Sequence, residues 1–449
     1  MQWISCRGQS PPVSFVDALF AGTAPDGGLY VPERIEPLPA GVLGRLCRAS
    51  LVEMATVVGS HLFQGEISEQ AFGGLVADAL NFDVPLVQVT DRIWALELFH
   101  GPTLAFKDIG ARVQARLLYH FTDGTPLTIL VATSGDTGSA VAQAFYGLPD
   151  TRVVVLYPEG QVSDLQEAQM ASLGGNIRAV AIQGTFDDCQ RLVKTAFADD
   201  DLRRHVWLTP ANSINVGRLL PQVFYYFQLL KLAGHTGEAD RHAVEADLQV
   251  GLGRTGHGPI ISVPSGNFGN LTAGLIAKRI GLPVHRFVAA TNLNDTVPKY
   301  LHSGDYRPQP SVRTIANAMD VGTPSNFERI QWLYGHDFEA IRRDISGAVF
   351  DDATVRKEIA DVERQHGYLL DPHGAIGWLA LKQAMAQAPA DANGVFLATA
   401  HPAKFREVVE PVIGRPVPLP PALQEALGRP RQFTRMNADY AELNAFLRQ

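Results

Sequence analysis

From Leu127 onward, short apolar runs alternate with amphipathic stretches, and this alternation constrains the fold more than any other feature. Leu127 to Ala132 is a buried-strand run, and Ser139 to Tyr146 reads as the helix after it. Arg152 to Tyr157 and Ile177 to Ile182 repeat the strand pattern, with helices over about Asp164–Leu173 and Asp187–Ala198. Later come the strand Pro259–Val263, the helix Leu271–Ile280, the strand Arg286–Ala290 and the strand Gly394–Ala398. Strands separated by helices return by crossover, which gives parallel sheet with helices on both faces. Open α/β sheets bind ligands outside the carboxyl ends of their strands, so function concentrates in the loops that follow them.

Residues 1 to about 92 lack this rhythm. Val13–Phe20, Leu43–Val58 and Ser68–Ala79 read as helices, the last with Ser68 as N-cap. Asp91 to Leu98 reads as a strand. The expected division is a mixed N-terminal domain over 1–92 and a catalytic region over 93–449. Within the latter, a smaller subdomain lies around 127–205 and a larger one takes mainly the remainder.

Composition narrows the function. Charged residues are 19%, below the ~25% typical of soluble proteins, which favours a compact enzyme with buried sheet. The net charge of −8 gives no broad electrostatic case for nucleic acid or anionic membrane, so an anionic ligand needs local donors. Cys6, Cys47 and Cys189 are scattered and form no zinc or disulfide spacing. The N-terminus has no signal-peptide apolar core, and no apolar run approaches the ~18 residues of a membrane helix. The expectation is a cytoplasmic protein, monomeric or weakly homo-oligomeric, acting on a small molecule without nucleic-acid or membrane partners. The histidines show no HExxH spacing, and no metal site is expected.

Four loops carry chemistry. In His100-Gly101-Pro102-Thr103-Leu104-Ala105-Phe106-Lys107-Asp108, Lys107 sits at a turn-to-helix junction among apolar residues. Desolvation there disfavours the ammonium and frees an amine that can form a Schiff base with an aldehyde cofactor. The competing reading of this stretch alone is a snorkelling surface lysine. Pro264-Ser265-Gly266-Asn267-Phe268-Gly269-Asn270 lies between a strand and a helix, where glycines and exposed N–H groups suit a phosphate. An ordinary strand-to-helix turn is the alternative. Thr133-Ser134-Gly135-Asp136-Thr137-Gly138 suits a carboxylate held by hydroxyls and backbone N–H groups. Asp136 in it suits a neutral or cationic partner, and Ser134 or Thr137 could instead cap the helix. Ala211-Asn212-Ser213-Ile214-Asn215-Val216-Gly217-Arg218 groups an amide, a hydroxyl and a guanidinium that matches phosphate bidentately; otherwise it is a polar helix start with a solvated arginine.

Thr399 ends the strand Gly394–Ala398, where a hydroxyl could reach a ring nitrogen, while His401 and Lys404 read as the start of the next helix. A literal G-x-G-x-x-G, Gly251 to Gly256, lacks the preceding strand and following helix of a dinucleotide site and reads as part of a surface excursion from about His235 to Gly258.

Taken in order, these stretches resemble the threonine synthases, pyridoxal-phosphate enzymes of the tryptophan synthase β-chain fold type. The likeness runs through Pro25–Pro32, Leu98–Asp108, Ala132–Gly138, Pro264–Asn270, Ala290–Pro298 and Thr399–Phe405, nearly the whole chain. The 235–258 excursion is not part of the family pattern. The wider fold group often carries asparagine where this chain has Asp136; the branch it resembles most carries aspartate.

The resemblance implies α/β pyridoxal-phosphate fold type II: two open parallel-sheet subdomains with helices on both faces, plus the mixed N-terminal domain. It implies a lyase that converts O-phospho-L-homoserine and water to L-threonine and phosphate by γ-elimination and β-addition. Lys107 would hold pyridoxal 5'-phosphate as an aldimine and act as acid and base. Ser265, Gly266, Asn267, Phe268, Gly269 and Asn270 would bind the cofactor phosphate, Thr399 would face the pyridine nitrogen, and Asp136 would lie against the cofactor. Ser134 and Thr137 would hold the substrate carboxylate, and Asn212, Ser213 and Arg218 its phosphate. Two other readings stay open: a lyase of the same fold acting on serine or a serine ester, and a non-catalytic phosphate- or nucleotide-binding protein.

Overall fold

The computed structural model describes residues 1–235 and 258–449; the G-x-G-x-x-G stretch lies outside them. Two parallel sheets form the frame. The larger has six strands in the order Ile345–Val349, Arg286–Thr291, Ile260–Pro264, Gly394–Ala398, Ile93–Glu97, Leu86–Gln88, all parallel except the last pair. The smaller has five parallel strands, Phe433–Asn437, Ile177–Gln183, Thr151–Pro158, Leu127–Ala132 and Leu208–Thr209. The segment 127–205 thus supplies three of these strands; a C-terminal strand and a two-residue strand complete the sheet. A short antiparallel pair, Trp3–Ser5 with Tyr30–Pro32, belongs to the N-terminal region.

Central strands such as Thr151–Pro158 and Ile260–Pro264 are buried nearly throughout, as expected of parallel sheet covered on both faces. The helix Lys107–Phe121 is also buried on most sides and packs against the helices Asp136–Phe145 and Val216–Leu219. Gly110 permits the latter contact, because a Cβ there would lie 2.6 Å from the Arg218 carbonyl oxygen. The N-terminal residues Trp3, Phe15, Met54, Val58 and Phe72 join the same core as this helix.

Several boundaries differ from the sequence reading. The stretch Leu43–Val58 is two helices, Val42–Leu46 and Leu51–Leu62, because Ser50 and Glu53 form a capping box that starts a new helix. The helix expected from Ser139 begins at Asp136, and the one expected from Leu271 begins at Gly269. Cys6, Cys47 and Cys189 are free thiols. Among the described residues no helix is long and apolar enough to cross a membrane, and no cluster of metal-ligating side chains is found.

Candidate active site

Strand order brings the loops together. Ile260–Pro264, Gly394–Ala398 and Ile93–Glu97 are parallel neighbours, so the segments 265–270, 399–404 and 98–107 leave the sheet side by side. In the smaller sheet Leu127–Ala132 and Leu208–Thr209 are parallel neighbours, so the segments 133–138 and 210–218 also emerge together. Side chains then tie one set of loops to the other.

The lysine stretch is pinned on two sides. Phe106 N–H donates to the Thr399 carbonyl at 2.9 Å, and His401 N–H donates to the Leu104 carbonyl at 3.0 Å. Leu104 has φ 58°, a left-handed conformation rare for a branched side chain and found where surrounding structure over-determines it. The Asp108 carboxylate accepts from Thr103 N–H at 2.9 Å and from the Thr103 hydroxyl at 2.7 Å, clamping the turn onto the first helical turn. Gly101 leaves the room for it, since a Cβ would fall 2.5 Å from the Asp108 carboxylate. Lys107 is therefore the first residue of its helix, with its side chain 16% exposed. Burial is the main cause that brings its amine down to about 8, Asp136 opposes the fall, and Lys404 and Arg218 add to it. The positive end of the helix dipole disfavours the ammonium as well.

Asp136 faces this amine. One of its carboxylate oxygens accepts from Lys404 Nζ at 2.8 Å and from Gln166 Nε2 at 3.2 Å; the other lies 3.9 Å from Lys107 Nζ. Burial by itself would raise the Asp136 pKa, but Lys404 and then Lys107 hold it well below the usual carboxylate range. Lys404 is fully buried and also donates to the Thr103 carbonyl at 2.8 Å, so it is not merely the opening of a helix. His401 does cap that short helix, its Nδ1 accepting from Ala403 N–H. The Thr133 hydroxyl accepts from Gly135 N–H at 2.9 Å and Gly138 N–H at 2.8 Å. It therefore caps the Asp136 helix in place of Ser134 or Thr137. Ser134 is exposed and Thr137 half-buried, and neither hydroxyl makes a capping hydrogen bond.

The 265–270 loop has the features of an anion cradle. Among the described residues, no protein acceptor meets the backbone N–H groups of Gly266, Asn267, Phe268, Gly269 or Asn270. They stand at the start of an 11-residue helix, where unpaired donors and the dipole both favour an anion. Phe268, the N-cap, has φ 61°. Gly266 is required by contact: a Cβ would fall 2.7 Å from the Ala318 carbonyl oxygen and 2.9 Å from Met319 Cα. The Ser265 hydroxyl donates to the Val263 carbonyl at 3.0 Å, and Asn270 Nδ2 donates to the Pro264 carbonyl at 2.7 Å. These two side chains shape the loop, and its backbone is left free.

Asn267 joins the two sheets' loops. Its amide donates to the Ser213 hydroxyl at 2.6 Å and accepts from Ser325 N–H at 2.6 Å. Behind Ser213, the buried Arg329 donates to the carbonyls of Tyr30, Ser213 and Ile214 and so fixes the 213–214 backbone. Asn215 caps the Val216–Leu219 helix through Gly217 N–H. Asn212 Oδ1 is buried without a hydrogen-bond partner. Arg218 is 3% exposed rather than solvated. Its Nη1 donates to the Ala211 carbonyl at 2.9 Å, and among the described residues no carboxylate lies within ion-pair distance. Burial pushes its guanidinium down to about 10. Asp108 acts on it only at longer range, and a buried cation without an ion-pair partner is costly unless an anion completes the site. Thr399 is buried at the strand end beside the lysine stretch.

Sequence reasoning thus placed Lys107, Asp136, Thr399, Arg218 and the 265–270 loop in one region. It missed Lys404, Gln166 and Thr133 as parts of it. Thr133 was legible, since a threonine two residues before a glycine at a strand-to-helix junction is a capping pattern; the other two are set by tertiary contacts.

A buried lysine whose amine is pulled down by desolvation, an unpaired N–H cradle and open parallel sheets are the parts of a pyridoxal-phosphate enzyme, and the family described as "Pyridoxal-phosphate dependent enzyme" matches residues 82–400. Two further families, "Threonine synthase N terminus" and "Threonine synthase, C-terminal", match residues 2–80 and 374–447. The threonine synthase of Haemophilus influenzae is 45% identical over 435 residues, 97% of this chain and 96% of that protein. That of Escherichia coli is 41% identical over 100% of this chain and 99% of its own. Its crystal structure superposes with a TM-score of 0.88, covering 100% of this chain and 99% of that one at 40% identity. The PLP-bound threonine synthase of Brucella melitensis gives a TM-score of 0.89 at 37% identity, again over 100% of this chain and 99% of that one. The chain belongs to the threonine synthase family.

Proposed function

We propose that the chain converts O-phospho-L-homoserine and water to L-threonine and phosphate, the last step of threonine biosynthesis, with Lys107 as the cofactor lysine. The observation that carries this reading is the Lys107 amine, desolvated and 3.9 Å from Asp136 at the carboxyl ends of the strands. Pyridoxal phosphate, when bound, supplies a ring that draws negative charge away from the reacting substrate carbons.

The residues present fit that cofactor. The unpaired N–H groups of Gly266 to Asn270 would take its phosphate, Thr399 its ring nitrogen, and Lys107 its aldehyde. Ser134 and Thr137, at the start of the Asp136–Phe145 helix, would hold the substrate carboxylate, where backbone N–H groups and the dipole add to the hydroxyls. Asn212, Ser213 and Arg218 would hold the substrate phosphate. Arg218 supports a phosphorylated substrate over serine or a serine ester, since a neutral side chain would leave its buried charge without an ion-pair partner. Once displaced from the cofactor, the Lys107 amine would remove the proton at the substrate Cα and return one after water has added at Cβ. Its depressed pKa leaves a usable share of free amine near neutral pH.

The test is a visible absorption spectrum before and after borohydride, followed by peptide mapping. The holoenzyme should lose its visible band and carry the reduced cofactor on Lys107, and Lys107→Ala should fold without that adduct or turnover. Reduced cofactor on another lysine would refute the assignment.

A further inference from the structure

Lys404 also donates to the Thr103 carbonyl, but both loops have anchors that do not involve its pair with Asp136. The 133–138 loop is capped by Thr133, and the lysine stretch is held by Asp108 and by its bridge to residues 399–401. The pair is also expensive, because two charges are taken out of water and replacement by apolar residues is often no loss. Its geometry suggests what it does. Lys404 and Gln166 occupy one Asp136 oxygen, while the other faces Lys107 with no other protein donor among the described residues. An uncompensated buried carboxylate at 3.9 Å would hold Lys107 as an ammonium, and an ammonium cannot attack an aldehyde.

We propose that Lys404 is a positioning residue for the Lys107 chemistry: by engaging Asp136 it keeps that carboxylate from trapping Lys107 as an ion pair, so the free amine can condense with the cofactor aldehyde and release water. The idea rests on Lys107 being the cofactor lysine. The charges that face the two groups fit a balance of this kind. Lys107 feels Asp136 and Asp108 against Lys404 and Arg218; Asp136 feels Lys404, Lys107 and His373, whose own ring is held by Asp371. Burial of the amine pulls in the same direction as Lys404.

The experiment uses the full-length chain stripped of cofactor. Pyridoxal phosphate is added across a pH series, the rate at which the visible band appears is measured, and the adduct is trapped with borohydride and mapped. The variants are Lys404→Met, Asp136→Asn and the two combined. The midpoint pH should rise by about one unit or more in Lys404→Met, equivalent to a roughly tenfold loss of free amine at fixed pH. It should fall in Asp136→Asn and return close to wild type in the double variant. An unmoved midpoint in Lys404→Met, or a shift that Asp136→Asn does not relieve, overturns the proposal, because a packing defect is not repaired by removing the carboxylate. Breaking one side of a buried pair can prevent folding. If Lys404→Met yields no folded protein, Lys404→Gln, which can still donate to the Thr103 carbonyl, takes its place: its midpoint must rise and Asp136→Asn must relieve the rise, and a midpoint equal to wild type overturns the proposal. Wild-type adduct on a lysine other than Lys107 refutes the cofactor assignment instead, a separate outcome.

Discussion

Replacing Lys107 by methionine should make the cofactor-free protein more stable while abolishing its activity. The folded-state amine sits at about 8 against an ordinary 10.5. The sign follows from proton binding. Between these values the unfolded chain binds more protons than the folded one, so stability rises with pH. The penalty is therefore full below about 8 and fully relieved only above 10.5. At ~1.36 kcal/mol per unit it is about 3 kcal/mol near pH 7 and about 1.4 kcal/mol near pH 9.5. Methionine has similar reach and no charge, and Asp136 keeps Lys404 as its partner. With an unfolding entropy of ~2.1 cal/mol/K per residue over 449 residues, about 3 kcal/mol corresponds to a rise of roughly 3 °C in Tm. The assay is thermal denaturation of cofactor-free wild type and Lys107→Met across pH. The gap should be widest near neutrality and close as pH rises. A gap that does not change with pH, or a less stable variant near neutrality, would refute the claim that Lys107 is held against its charge.

Two further outcomes follow from the site. Arg218→Ala should lower kcat/KM for O-phospho-L-homoserine by more than about a hundredfold, since hydrogen bonds to charged groups contribute ~1.5–3 kcal/mol each. Arg218→Lys should recover only part, because an ammonium cannot pair bidentately, and cofactor absorbance should persist in both; equal slowing of an uncharged O-acyl analogue would make Arg218 structural. Gly269→Val should weaken cofactor retention more than it lowers the Tm of the cofactor-free protein, since a Cβ there meets nothing closer than 3.4 Å. Gly266→Val should lower both, because its Cβ would strike the backbone at Ala318 and Met319; a Gly269→Val protein that retains cofactor normally would remove the phosphate role from the loop.

Much of the fold was legible because its signals are local. The strand–helix alternation from Leu127 predicted parallel sheets, and the strands at 127–132, 151–158, 177–183, 260–264, 286–291 and 394–398 are present. The strands Trp3–Ser5, Leu86–Gln88, Leu208–Thr209, Ile345–Val349 and Phe433–Asn437 were missed. The first three are too short to show a period, and the last two are half exposed at sheet edges, so pairing rather than propensity makes them strands. Helix starts were misplaced by two or three residues where a cap lay upstream: Thr133 for the Asp136 helix and left-handed Phe268 for the Gly269 helix.

The class of fold was legible locally, and so were a lysine at a turn-to-helix junction and the glycine and hydroxyl loops at strand ends. These depend on neighbours within a turn or two of the chain, where steric and hydrogen-bonding preferences act without help. Only the tertiary structure decided that Gly394–Ala398 lies between Ile93–Glu97 and Ile260–Pro264, and that placement sets Thr399 and Lys404 beside Lys107. It also decided that Lys404 pairs with Asp136 and that Arg218, buried, makes no ion pair among the described residues. Charge at a site depends on burial and on what faces it across space, and both are properties of the packed chain.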